Sequence, residues 1–184
     1  MSEPVFTIGH STRPIAEFVA LLAPNGVRRV VDVRTVPRSR TNPQYNQDAL
    51  PRELAPHGIA YEHIAGLGGL RGRKAEVPPD VNGYWENQSF HNYADYAMTS
   101  PAFREGLGRL MALARTERCA IMCAESVWWR CHRRIITDYL LAAGEDVFHI
   151  VGGEVPEPAK LTPEARPAGE GTLAYPGPQR GLGL

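Results

Sequence analysis

The feature that most narrows the fold is a series of short apolar runs, rich in β-branched residues and separated by stretches with helical periodicity. Val30-Val31-Asp32-Val33 is apolar at nearly every position. A parallel strand covered on both faces looks like this, whereas a strand with one wet face alternates. Val5-Phe6-Thr7-Ile8 precedes it, and residues 59–64, 119–123 and 147–151 read as three further strands. Between the first two, Ile15, Phe18, Val19, Leu21 and Leu22 recur at helical spacing and stop at Pro24-Asn25-Gly26. Ser11 or Thr12 can cap that helix and Pro14 suits its first turn. Residues 48–55, 90–97, 101–114 and 128–143 read as further helices, the last ended by Gly144. The alternation predicts an α/β fold: an open, mostly parallel five-stranded sheet with helices on both faces, doubly wound and Rossmann-like. A chain of 184 residues suits a single α/β domain, expected over residues 1–151. Residues 152–184, rich in Pro and Gly, are expected to form an irregular C-terminal tail, partly packed on that domain.

Bulk composition excludes some roles. Twenty basic and twenty acidic residues cancel, so no global field draws the chain to nucleic acid or an anionic membrane, and any anion attraction must be local. No apolar run approaches the roughly 18–20 residues of a membrane span. The Met1-Ser2-Glu3-Pro4 start lacks the pattern of a signal peptide, and three cysteines make no complete disulfide set. A cytoplasmic protein without a membrane partner is expected.

In open α/β sheets, ligands bind beyond the carboxyl ends of the strands, and the chemically unusual residues fall there. After the fourth strand, Cys123, Glu125, Cys131, His132 and three arginines lie within residues 123–134. A helix start carries unpaired N–H groups, which favour anions and depress nearby thiol pKa values. His132 is in phase with Ile135, Ile136 and Tyr139 and is expected near the cleft. Arg130 and Arg134 are expected on one helix face. After the second strand come Asp32, Arg34, Arg38, Ser39, Arg40 and Tyr45, a set suited to phosphate or carboxylate. Arg71, Arg73 and Lys74 add a third basic loop, so these loops hold nine of the twenty basic residues. Gly9-His10-Ser11 ends the first strand, with His10 and Ser11 as hydrogen-bonding candidates.

Several familiar motifs fail. A tyrosine-phosphatase or rhodanese loop needs arginine at the sixth position after the cysteine. Here that position is Trp129, and the arginine follows at Arg130. Zinc is not expected, because Cys123, Cys131 and His132 lack a paired C-x-x-C and a fourth ligand. Gly66-Leu67-Gly68-Gly69-Leu70-Arg71-Gly72 misses the third glycine of a nucleotide fingerprint and is read as a flexible lid.

Taken in order, Ile8-Gly9-His10-Ser11-Thr12, Val31-Asp32-Val33-Arg34 with Pro37-Arg38-Ser39-Arg40, Leu67-Gly68-Gly69, and Met122-Cys123-Ala124-Glu125 through Cys131-His132-Arg133 resemble the family called domain of unknown function 488. Leu161-Thr162-Pro163-Glu164-Ala165-Arg166 and Leu173-Ala174-Tyr175-Pro176 extend the resemblance into the tail. It implies a compact α/β fold in an intracellular bacterial or archaeal setting, with 161–176 packed on the domain, and assigns no reaction. Relatives commonly carry a His before the Leu-Thr motif; here Glu157-Pro158-Ala159-Lys160 stands there.

The residues support an enzyme acting on a phosphate-bearing substrate: a nucleotide, nucleoside derivative or nucleic acid. Cys123, Glu125 and His132 are the catalytic candidates, for glycosidic-bond, phosphoryl or acyl chemistry. His10, Ser11, Asp32, Arg34, Ser39, Arg40, Tyr45 and Arg133 are the substrate-binding candidates. No metal or cofactor is expected, and an anionic small molecule or nucleic acid is the expected partner. A non-catalytic nucleotide- or nucleic-acid-binding module, and a thiol/redox protein using Cys123 and Cys131, stand as alternatives. The oligomeric state stays open.

Overall fold

The computed structural model describes residues 2–153 and 155–178. Strands β1 (Val5–Gly9), β2 (Arg29–Asp32), β3 (Ala60–His63), β4 (Cys119–Cys123) and β5 (Val147–Ile150) alternate with helices. These are α1 (Ile15–Leu22), α2 (Leu50–Leu54), α3 (Gln88–Thr99), α4 (Pro101–Ala114) and α5 (Arg133–Ala142). The five strands run parallel in the order β3-β2-β4-β1-β5. The expected sheet gains a sixth strand: β6 (Glu157–Pro158) lies antiparallel along β5. It is drawn from the tail, where the Ala159 N–H donates to Val147 O at 2.8 Å.

The topology decides where a site can form. From β1 the chain moves outward through β2 to β3, then turns back through α3 and α4 to insert β4 between β1 and β2. Right-handed crossovers place helices on opposite faces when the direction of travel reverses. Accordingly Phe6, Ile8, Val30, Ala120 and Met122 pack with Phe18, Leu22, Leu50 and Leu54 of α1 and α2. Val5, Val31, Ile121 and Cys123 pack with residues of α3, α4 and α5. Strand alternation puts two polar residues, Thr7 and His149, in the second layer, and both are buried. The register pairs Gly9 with Cys123 and Asp32 with Met122, so the carboxyl ends of β1, β2 and β4 lie side by side.

Local signals explain two differences from the sequence expectation. Helix α3 starts before residue 90 because the Asn87 side chain accepts from the N–H groups of Ser89 and Phe90 at 2.9 and 3.3 Å. The expected helix over 128–143 is divided. Trp128–Arg130 forms one 3-10 turn, Cys131 is extended (φ −130°, ψ 152°), and α5 begins at Arg133. Arg130 and Arg134 therefore do not share a helix face. Arg134 stacks on Trp85 and donates to the Thr162 hydroxyl at 3.2 Å.

The first half of the segment expected to be a lid, Gly66 to Gly69, is packed, while Leu70 and Gly72 are exposed. A Cβ on Gly66 would stand 2.3 Å from Ala102 O, and one on Gly68 2.7 Å from Thr35 Cα. These glycines bring backbone against backbone.

One buried carboxylate of α5 holds the tail at two points, beside the contacts of Arg134 with Thr162 and of Tyr139 with Leu173. Asp138 accepts from the Thr162 N–H at 2.9 Å and the Tyr175 hydroxyl at 2.8 Å. The hairpin of β7 (Arg166–Pro167) and β8 (Leu173–Ala174) lies between those two anchors. No described helix is long and apolar enough to cross a membrane.

Asp138→Ala would leave a buried amide N–H and a buried hydroxyl without partners, each costing about 1–3 kcal/mol. Urea unfolding should show that loss, and limited proteolysis should cut within 159–176 before the rest of the chain. Parent-like resistance in that segment would show that Asp138 is not the anchor.

Candidate active site

Beyond the carboxyl ends of β2 and β4 lies a cavity of about 430 Å³, a size common for small-molecule sites. Cys123, Cys131, His132 and Glu125 line it together with Arg34, Arg38 and Arg130, and Val36, Leu70, Phe90 and Tyr93 form apolar wall. Cys123 ends β4, and the extended backbone at Cys131 returns the second thiol to the first. The two Sγ atoms are 2.6 Å apart, as free thiols.

Around the sulfurs, α5 presents its first turn. The Arg133 N–H points to Cys131 Sγ at 3.4 Å. The Arg133 side chain, 1 % exposed, turns inward, with Nε donating to Cys123 Sγ at 3.0 Å. Its two amino groups donate to the Thr7 hydroxyl at 3.1 Å and to Glu125 O at 2.7 Å. The Thr7 hydroxyl also hydrogen-bonds His149 Nδ1 at 2.7 Å, and that ring stacks flat on Trp128.

His132 is oriented from the opposite side. Its Nε2 lies 2.6 Å from the carbonyl of Val33, which can only accept, so the proton resides on Nε2. The bare Nδ1 faces Cys131 Sγ at 3.4 Å. Tyr93 packs edge-on against the ring, and a Cβ on Gly69 would stand 2.5 Å from Nδ1. Gly9 serves likewise beneath the site: a Cβ there would collide with Glu125 O at 1.8 Å.

Of the other expected substrate-binding residues, His10, Asp32, Arg34 and Tyr45 form a buried support layer beside the cavity. Asp32 accepts from Arg34 Nε at 2.9 Å and from a terminal amino group at 2.7 Å, and also takes the Tyr61 hydroxyl. Arg34 further donates to Tyr45 O at 2.6 Å and faces His10 Nε2 at 3.4 Å. His10 stacks on Tyr45, whose hydroxyl donates to Arg13 O. Of this layer only Arg34 reaches the cavity wall. Ser11 takes φ 48° where its N–H meets Ala124 O. Ser39 is tied to Asn42 and Asn46 within its loop, and Arg40 is exposed. In the third basic loop, Arg71 is bound to Ala65 O and Gly68 O and stacks on Tyr96. Among the described residues no group of three or more His, Cys, Asp and Glu is placed to hold a metal ion.

A family model described as Domain of unknown function DUF488 matches residues 14–140. This chain belongs to that family. Neither the curated proteins nor the solved structures include a significant match. The DUF488 match takes in Asp32, Arg34, Cys123, Cys131, His132 and Arg133, whereas Thr7, His10 and His149 lie outside it.

In the DUF488 chain the two adjacent thiols are polarised in opposite directions. Burial and the contact with Cys131 push the Cys123 thiol up. Burial also acts to raise Cys131, but the hydrogen bond from Cys123, the Arg133 charge and the Arg133 N–H outweigh it and bring that thiol down to about 7. Burial lowers His132, which keeps it neutral, and burial with the Arg133 charge takes His149 down to about 3. Cys119, at the far end of β4, is pushed up to about 12, chiefly by burial.

The residues alone put forward Cys123, Glu125 and His132 as catalytic candidates and left Cys131 to the redox alternative and the discounted zinc site. The structure gives Cys131 the greater acidity. Thr7 and His149 were missed. The signal for both was the alternation of β1 and β5, which sets them on the same sheet face as Cys123.

A thiolate titration followed by ultraviolet absorbance should show one group with a midpoint near 7, lost in Cys131→Ser and kept in Cys119→Ser. Because the folded pKa lies below the free-thiol value of about 8.5, the linked stability is present above that value and is lost as pH falls through about 7. A lowest thiol titrating above 8.5 in the folded protein would contradict the assignment.

Proposed function

We propose that this DUF488 protein is an enzyme whose nucleophile is the Cys131 thiolate, acting on a small anionic substrate, phosphate-bearing for example, held in the cavity. The observation that carries the reading is the thiol pair itself. The two Sγ atoms share one short contact, and the Arg133 charge with its N–H at the start of α5 stabilises negative charge on Cys131. His132, held by Val33 O, presents a lone pair to the same sulfur and can take the proton when the thiol ionises. Glu125, exposed at the cavity wall, is the second candidate for proton transfer with the substrate.

Arg38 and Arg130 support the anionic substrate. Both are exposed at the cavity, and neither guanidinium has a hydrogen-bond or ion-pair partner among the described residues. Arg34 and Arg133 are already committed to Asp32 and to the thiols, so they support the site from within. A nucleoside or similar ring would meet Phe90 and Tyr93 on the apolar wall.

Alkylation distinguishes these parts. Iodoacetamide should label Cys131 first, by peptide mapping, with a rate that rises through pH 7 as the thiolate forms. The anionic reagent iodoacetate should gain relative to iodoacetamide, compared with a free thiol. Arg38→Ala with Arg130→Ala should reduce that gain about tenfold, and added salt should do the same. Preferential labelling of Cys119 would sink the nucleophile assignment, and an unchanged reagent ratio in the arginine variant would sink the anion site.

A further inference from the structure

We infer that Cys123 and Cys131 form a reversible two-electron centre that exchanges with small anionic disulfides and thiols admitted to the cavity, and that Arg133 biases this centre toward its dithiol state, so that its bridged form is an oxidant. The inference rests on Cys131 being the nucleophile and adds a second activity at the same site.

The two sulfurs line one cavity at 2.6 Å, on a strand end and on the extended residue before a helix. Little backbone movement separates that arrangement from a covalent bridge. The steps balance as thiol–disulfide exchange. The Cys131 thiolate attacks one sulfur of the substrate R–S–S–R′, forming Cys131–S–S–R and expelling R′S⁻. Cys123 loses its proton, attacks Cys131 Sγ, and releases RS⁻. The protein is oxidised by two electrons and the substrate is reduced to two thiols, which take up the proton from Cys123 and one from solvent. An external dithiol restores the pair by the reverse sequence.

Arg133 sets the direction in which the centre rests. Its guanidinium is buried and partnered by Cys123 Sγ, the Thr7 hydroxyl and one carbonyl, with no carboxylate among them. The charge meets the thiol pair instead, through the guanidinium at Cys123 Sγ and the backbone N–H at Cys131 Sγ. Bridging the sulfurs removes the thiolate and leaves a buried cation facing neutral groups, a costly state. The penalty falls on the oxidised form alone, so the disulfide is readily reduced and the dithiol is the resting form. His149, hydrogen-bonded to Thr7, stays neutral and adds no charge.

The test uses the reduced full chain with dithiobis-nitrobenzoate, an aromatic disulfide carrying carboxylates. The parent should release two nitrothiobenzoate anions from the pair and finish two hydrogens lighter by mass, without an adduct. Cys123→Ser should stop after one release with the adduct on Cys131. A persistent Cys131 adduct on the parent would overturn the two-electron centre while leaving the nucleophile reading intact. No reaction at Cys131 in either protein would overturn both. In redox buffers, Arg133→Met should shift the dithiol–disulfide equilibrium at least tenfold toward disulfide, about 30 mV, and an unchanged equilibrium would remove Arg133 from the account. Should that variant not fold, the parent alone decides: the dependence of its potential on pH should halve in slope as pH rises through about 7, and an unbroken slope would overturn a thiolate held by Arg133.

Discussion

The site depends on one buried cation. Arg133 enters the protein at the first turn of α5 and donates to a thiol at the end of β4, a hydroxyl in the middle of β1 and a carbonyl in the loop between β4 and α5. A guanidinium out of water is tolerated only when its donors are satisfied. Those contacts therefore fix the loop after β4 and the angle at which α5 meets the sheet. They also bring Cys131 back onto Cys123, because the residue two before Arg133 has nowhere else to lie. The acidity of Cys131 and the burial of Arg133 are two sides of one arrangement.

A second buried pair does similar work without chemistry of its own. Asp32 and Arg34 close on each other at the end of β2, and the spare donors of Arg34 reach Tyr45 O and His10. This network links the carboxyl ends of β1 and β2 across β4, which lies between them. It places the Arg34 backbone so that its carbonyl meets His63, and the neighbouring Val33 carbonyl orients His132. The basic loops are thus unequal. Two arginines support the frame, while Arg38 and Arg130 face the cavity with donors to spare.

Parts of this were open to inspection in the residues alone. Runs such as Val30-Val31-Asp32-Val33 carry their own evidence of two-sided burial, and Pro101 and Gly144 punctuate the helices on each side of β4 as their backbone preferences require. The concentration of Cys123, Cys131, His132 and Arg133 in one short segment located the candidate site. What the chain did not disclose was partnership. Arg34 and Arg38 are the same side chain in the same loop, and only the closeness of Asp32 makes one a strut and leaves the other open. The lid reading went astray over Gly66 to Gly69 for a related reason: glycine allows flexibility and close packing equally, and Ala102 and Thr35 decide between them.

The alternation of strands and helices, the parallel sheet and the end of it that holds the candidate site follow from the order of residues, because periodicity and chirality are local and leave few topologies. Which thiol ionises, which arginine is free and where Thr7 and His149 act were decided by tertiary structure alone. Those properties arise from desolvation and from charges brought within a few ångströms by residues more than a hundred positions apart, as Thr7 and Arg133 are. No local pattern carries that distance.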